Sequence, residues 1–104
     1  MLQKLHQIKN ITKDMNILYV EDDDSLRSVT IPIFNQMFKN LIVAANGVEG
    51  LETYKEHINN NQIGLIISDI EMPQMNGIEM IKKIRILNAS IPVVFLTGCS
   101  NNEY

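Results

Sequence analysis

Short apolar blocks recur along the chain, each followed by a polar break and then a stretch with helical spacing. "NILYV" (Asn16 to Val20), "LIVAAN" (Leu41 to Asn46), "IGLIISD" (Ile63 to Asp69) and "IPVVFLTG" (Ile91 to Gly98) are predicted as strands. They are continuously apolar rather than alternating, the pattern of strands covered by helices on both sheet faces. Between them, "SLRSVTIPIFNQMF" sets Leu26, Val29, Ile33 and Met37 on one helical face, and Pro32 is expected to kink that helix or remove one hydrogen bond. "VEGLETYKEH" is predicted as a helix with Val48, Leu51 and Tyr54 inward, and "GIEMIKKIRIL" as one aligning Ile78, Ile81 and Ile84. "CSNNEY" reads as the start of a further helix. Strand–helix alternation with short links implies parallel strands and right-handed crossovers. The expected fold is therefore α/β, a doubly wound open parallel sheet.

Residues 1–15 form a polar leader in which Leu2, Leu5, Ile8 and Ile11 recur every third position. Two readings stand: a frayed tail or a short amphipathic helix. The domain proper is expected over residues 16–104. At 104 residues it is one domain with one core.

Composition narrows the class. Hydrophobic residues at 45% and charged residues at 20% suit a soluble globular domain and are too apolar for a disordered tail. A net charge of -3 provides no basic surface for a phosphate backbone, so no direct nucleic-acid binding is expected. The single cysteine, Cys99, excludes an internal disulfide and a cysteine-based zinc site, and a free small side chain is its simplest role. No apolar run approaches the ~20 residues that span a bilayer, and the N-terminus lacks the apolar segment of a secretory signal. No membrane association and a cytoplasmic location are expected. His6 and His57 are isolated, and Lys82, Lys83 and Arg85 read as the wet face of a helix.

In open parallel sheets, ligands bind beyond the carboxyl ends of the strands, where the strand order reverses. The first strand delivers "EDDD", Glu21 to Asp24, to that edge; the third delivers Asp69; the fourth ends in Thr97 and Gly98. Part of the acid run is explained by capping, for which Asp24 or Ser25 is the expected residue. Capping does not account for both Glu21 and Asp22. It accounts poorly for Asp69, since the next helix begins only near Gly77. Thr97 taken alone fits ordinary strand packing. Carboxylates crowded together repel unless a counter-charge offsets them. With no lysine or arginine at these strand ends, the economical counter-charge is a divalent cation, and all-oxygen ligation is what Mg²⁺ prefers. A carboxylate beside such an ion can act as a nucleophile and form an acyl phosphate. Asp69 is thus a candidate phosphoryl acceptor on chemical grounds.

"ILYVEDDDSLR", "VAANGVEGLE", "LIISDIEMPQMNGIEMIKKIR" and "IPVVFLTG", in this order from about Asn16 onward, together resemble the receiver domain of two-component response regulators. The resemblance implies a flavodoxin-like receiver fold, here lacking its fifth strand and last helix. It implies Asp69 as the phospho-acceptor and Thr97 as the switch hydroxyl. It implies Mg²⁺ as cofactor, with Asp22 contacting the metal directly, Glu21 acting largely through water, and the backbone carbonyl of Glu71 completing the shell with Asp69. The Glu71 side chain would point at the phosphoryl site, and Pro73 and Gly77 match the loop that re-aims the chain. The implied partner is a sensor histidine kinase or a phosphotransfer protein, with the domain catalysing transfer only onto itself. The family's fifth strand carries a lysine that pairs with the phosphoryl group; no lysine of this chain matches it. Without that strand, Ile91 to Gly98 becomes an apolar sheet edge that invites pairing with another chain, so a homodimer or strand exchange through this edge, or poor solubility, is expected; the alternative is that the 104 residues are a fragment of a longer polypeptide.

Two other functions compete. A receiver-like interaction module that is never phosphorylated would not need the full set of acids and threonine. A phosphatase of the haloacid dehalogenase type also uses a nucleophilic aspartate and Mg²⁺, and Asp69-Ile70-Glu71 superficially offers its acid pair, but the cap and lysine have no counterpart. Dinucleotide binding fails because the first strand–helix turn carries acids where glycines should admit a pyrophosphate.

Overall fold

The computed structural model describes residues 14–96. Four strands, β1 (Asn16–Val20), β2 (Asn40–Ala44), β3 (Ile63–Asp69) and β4 (Val93–Leu96), alternate with three helices, α1 (Asp24–Met37), α2 (Gly47–Glu56) and α3 (Gly77–Leu87). All strand pairs are parallel, in the order β2-β1-β3-β4. The doubly wound α/β architecture expected from the patterning is what forms. From β1 the chain crosses to β2 on one side and then returns to β3 on the other, so the strand order reverses between β1 and β3.

The helices start where the sequence supplies a side-chain oxygen for their free N–H groups. Asp23 accepts from Leu26 N at 2.9 Å, and Asn46 accepts from Glu49 N at 2.8 Å. Asn76 and Glu79 form a reciprocal capping box at α3. The cap of α1 is thus Asp23, one residue before the Asp24 or Ser25 expected. Pro32 lies inside α1 without ending it.

Two apolar layers sandwich the sheet. On one face Leu18, Val20 and Ile66 pack with Tyr54 of α2 and Met80, Ile81 and Ile84 of α3. On the other, Ile17, Tyr19, Leu65 and Ile67 pack with Ile31, Phe34 and Met37 of α1 and with Phe38 beyond it. The rings of Tyr19 and Phe34 meet edge to face with centroids 5.0 Å apart.

The helical faces correct the patterning in part. Ile81, Ile84 and Tyr54 are buried as expected, but Val48 and Ile78 are exposed, with Met80 inside instead. In α1 only Met37 of the expected stripe joins the core, while Leu26, Val29 and Ile33 face outward. Two apolar stripes about 100° apart compete on this helix, and the one bearing the larger side chains, Phe34 above all, takes the sheet. β4 is shorter than the expected strand. Its final two residues, like the expected last helix and most of the leader, lie outside the described residues.

Ile84 is fully buried, whereas Ile86 two positions on is 83% exposed. Ile84→Ala is expected to lower stability by about 2–5 kcal/mol in urea unfolding, and Ile86→Ala by less than ~0.5 kcal/mol. Equal losses would contradict the inner face assigned to α3.

Candidate functional site

Register decides which side chains share the rim. β1 and β3 pair with Val20 opposite Ser68, so the next residues, Glu21 and Asp69, emerge side by side where the strand order reverses. Asp22 follows on the loop into α1. The carboxylates of Glu21, Asp22 and Asp69 each place an oxygen within 4.8 Å of the others. Three acids from two strands therefore occupy one small volume, as the sequence led one to expect.

Their surroundings are low in compensating charge. Glu21 is 2% exposed, and its carboxylate accepts from Asp23 N at 3.1 Å. Burial pushes its pKa above the ordinary carboxylate range, and the charges of Asp69 and Asp22 push the same way, against the Asp23 hydrogen bond. Asp69 is raised as well, first by burial and then by the charges of Asp22 and Glu71, while the Ile70 and Glu71 N–H groups act to lower it. The Ile70 N–H donates to the Asp69 carboxylate at 2.9 Å. Among the described residues no ion pair reaches any of the three acids.

One basic residue near the rim was missed in the sequence. Arg27, a turn into α1, donates to the Glu21 carbonyl at 2.8 Å and pairs with Asp24. It bonds backbone and cap rather than the acid trio, so it ties α1 to the end of β1 and leaves the cluster unneutralised. The clue was its spacing, one helical turn after the acid run on the face that returns to the strand end.

The loop after Asp69 is tightly built. Met75 N donates to Pro73 O at 2.8 Å, closing a three-residue turn around Gln74, whose φ of 71° lies in the left-handed region. Gly77 N then donates to Ile70 O at 2.7 Å, and a Cβ on Gly77 would stand 2.2 Å from the Asp69 carbonyl oxygen. Only glycine permits this approach. The loop thus fixes the chain on either side of Glu71. Thr97 lies outside the described residues.

The donor set suits a small hard cation: oxygen ligands only, crowded and short of positive charge. Glu21, Asp22 and Asp69 would hold it, with the Glu71 carbonyl as the further donor that the resemblance implies. Among the described residues no helix is long and apolar enough to cross a membrane.

A doubly wound parallel sheet with an acid cluster at its switch point defines a class of signalling domain. The family model for the response regulator receiver domain matches residues 17–104, and the chain belongs to that family. It is 33% identical over 89 residues to the transcriptional regulatory protein ZraR of Klebsiella oxytoca, covering 86% of this chain and 19% of that protein. It is also 33% identical over 97 residues to the autoinducer 1 sensor kinase/phosphatase LuxN of Vibrio harveyi, covering 93% of this chain and 11% of that one. The chain thus spans a fifth or less of these relatives. Among solved structures, the N-terminal domain of an uncharacterized Wolinella succinogenes protein superposes with a TM-score of 0.73 at 31% identity, covering 86% of this chain and 69% of that one. The CheX-CheY-BeF3-Mg²⁺ complex from Borrelia burgdorferi matches with a TM-score of 0.67 at 28% identity, covering 86% and 66%.

The raised acids set the sign of a pH dependence. Glu21 and Asp69 bind protons more tightly folded than unfolded. Between the ordinary values, about 3.9 for Asp and 4.3 for Glu, and the raised ones, the folded state holds more protons, so stability falls as pH rises through that window. In urea unfolding under chelator, Asp69→Asn is expected to flatten this fall and to be more stable than the parent at neutral pH. An unchanged slope would contradict the crowding.

Proposed function

We propose that this receiver accepts a phosphoryl group from a phosphohistidine on a sensor histidine kinase or phosphotransfer protein, onto the carboxylate of Asp69, in the cytoplasm. One observation carries the reading: carboxylates from two strands share the rim and, among the described residues, no basic side chain is paired with them. Carboxylates crowded in this way disfavour one another's charged form, and a bound cation would relieve that repulsion. The solved CheX-CheY-BeF3-Mg²⁺ complex from Borrelia burgdorferi supports the same reading by likeness.

The chain's own contribution is placement and charge. An Asp69 oxygen forms the new O–P bond as the P–N bond of the phosphoimidazole breaks, with the electron pair leaving on the ring nitrogen, which then takes a proton. The Ile70 N–H holds one carboxylate oxygen, which orients the other toward the incoming phosphorus. Glu21, Asp22, Asp69 and the Glu71 carbonyl would hold Mg²⁺, which would supply counter-charge at this step. Thr97 is proposed as the hydroxyl that donates to the phosphoryl group and reports its arrival. The domain catalyses transfer only onto itself.

A second proposal concerns assembly. Among the described residues β4 pairs on one side only, with β3. Its free side, extended to Gly98 as the sequence predicts, is proposed to pair with a second copy. Sedimentation at rising concentration is expected to show a dimer, and a monomer throughout would rule this out.

The phosphoryl reading is tested by titrating Mg²⁺ and then beryllofluoride while following backbone NMR shifts and thermal stability. Mg²⁺ is expected to shift signals around Asp22 and Asp69, beryllofluoride to add a second set, and Asp69→Asn to abolish the second. Mg²⁺ binding without any beryllofluoride response would favour a binding module that is not phosphorylated. No response to either would end the reading.

A further inference from the structure

On the sheet face that carries α2 and α3, two large apolar residues stand outside the core. Ile86 is 83% exposed and Leu87 46%, both at the end of α3. Met80, Ile81 and Ile84 turn to the sheet, so helical spacing puts Lys83 and Leu87 on one flank of α3 and Ile78, Lys82 and Arg85 on the other. Arg85 donates to the Ile91 carbonyl at 2.9 Å, which fixes its flank on the side of β4. The opposite flank meets the neighbouring α2. Leu51, Lys55, Lys83, Ile86 and Leu87 there line one open slot between the two helices.

The slot has an apolar floor and a basic edge. Leu51 packs on the core beneath it, and the only charged groups lining it are Lys55 of α2 and Lys83 of α3. Among the described residues neither lysine has a carboxylate within ion-pair distance. Glu52 and Glu56 lie further round α2, and the Glu79 carboxylate accepts from the Asn76 N–H in the cap of α3. Lysine stems can shield apolar surface, but the exposure of Ile86 shows that here they do not. Neither chain end suits the space. A right-handed connection out of β4 carries its helix to the far flank of α3. Residues 1–13 bear Lys4, Lys9 and Lys13 and no acid, the wrong sign for a slot edged by lysines.

We propose that this slot docks a short amphipathic helix of a partner protein, apolar on one face and acidic along its edges. Helices of 10 and 11 residues frame a groove about 15 Å long, the span of roughly three turns of a third helix. A helix laid in such a groove presents anchors at i, i+3, i+4 and i+7. Those anchors cover Leu51, Ile86 and Leu87, and the flanking carboxylates meet Lys55 and Lys83. Exposed pairs of this kind select the partner more than they hold it, and the apolar contact supplies the grip. The slot lies toward the C-terminal ends of both helices, away from the acid-bearing rim where they begin. The inference therefore stands apart from the chemistry of Asp69.

A synthetic amphipathic helix of leucine, alanine and glutamate is the probe, titrated into the full chain without Mg²⁺ while backbone NMR shifts are followed. Shifts are expected to centre on Leu51, Lys55, Lys83, Ile86 and Leu87. The same peptide with lysine in place of glutamate is expected to bind at least tenfold more weakly. The double variant Lys55→Glu, Lys83→Glu is expected to reverse that preference, and Ile86→Ser to weaken the acidic probe about tenfold. All three substitutions fall on exposed side chains, so an unchanged thermal transition confirms that the fold is kept. No binding at millimolar peptide, equal binding of the two peptides, or an unreversed preference in the double variant overturns the proposal. So do shifts centred elsewhere. Shifts at the slot that appear on concentrating the protein alone would assign it to a second copy and overturn the proposal equally.

Discussion

The parallel register of β1 against β3 is the constraint on which the rest depends. Because Val20 sits opposite Ser68, the first residues past the paired region are Glu21 and Asp69. A one-residue slip would turn every core side chain of β1 to the other face, exchanging Leu18 and Val20 for Ile17 and Tyr19 against α2 and α3. The core therefore enforces the register, and the register places the acids together. The geometry of the acid cluster and the fold are specified by the same apolar residues, which is why a site of mutually repelling groups can be held at all.

That repulsion has a cost, and the molecule meets it locally. Glu21 is buried with one carboxylate contact to the Asp23 N–H, and Arg27 bonds its carbonyl. Asp69 keeps the Ile70 N–H, while the Ser68 hydroxyl donates to the Asp69 carbonyl at 2.8 Å. These contacts secure backbone and orientation without neutralising the carboxylates. Hydrogen bonds of this kind contribute about 1 kcal/mol each, enough to fix side-chain direction but too little to cancel three crowded charges. The remaining imbalance is what a cation can recover on binding.

Much of this was legible in the sequence, for identifiable reasons. β1, β3 and α3 were bounded to the residue because each ends on unambiguous chemistry: an acid after an apolar run, or Asn76-Gly77 before a periodic one. The acid trio was legible because strand ends in a parallel sheet share an edge. The orientation of α1 was not, because periodicity shows that a helix has apolar stripes and leaves open which one faces the sheet. Two stripes were present, and Phe34 with Ile31 filled the space over Tyr19 better than Leu26 and Val29. Arg27 escaped notice because its partner is a backbone carbonyl, which no side-chain motif records.

The two sheet faces differ in how they are closed, and this bears on where a change at the rim can travel. The α2–α3 side is densely buried around Met80 and Ile84, and an interior of that kind yields little without losing packing. The α1 side is thinner, with large apolar residues of the helix outside the core. Arg27 joins that helix to the Glu21 carbonyl and to Asp24, directly beside the cluster. The cluster of Glu21, Asp22 and Asp69 thus adjoins a helix held mainly by Ile31, Phe34, Met37 and one guanidinium. Of the three described helices α1 alone has no buried residue, while the Gly77 approach and the Asn76–Glu79 cap hold α3 to the loop behind Asp69.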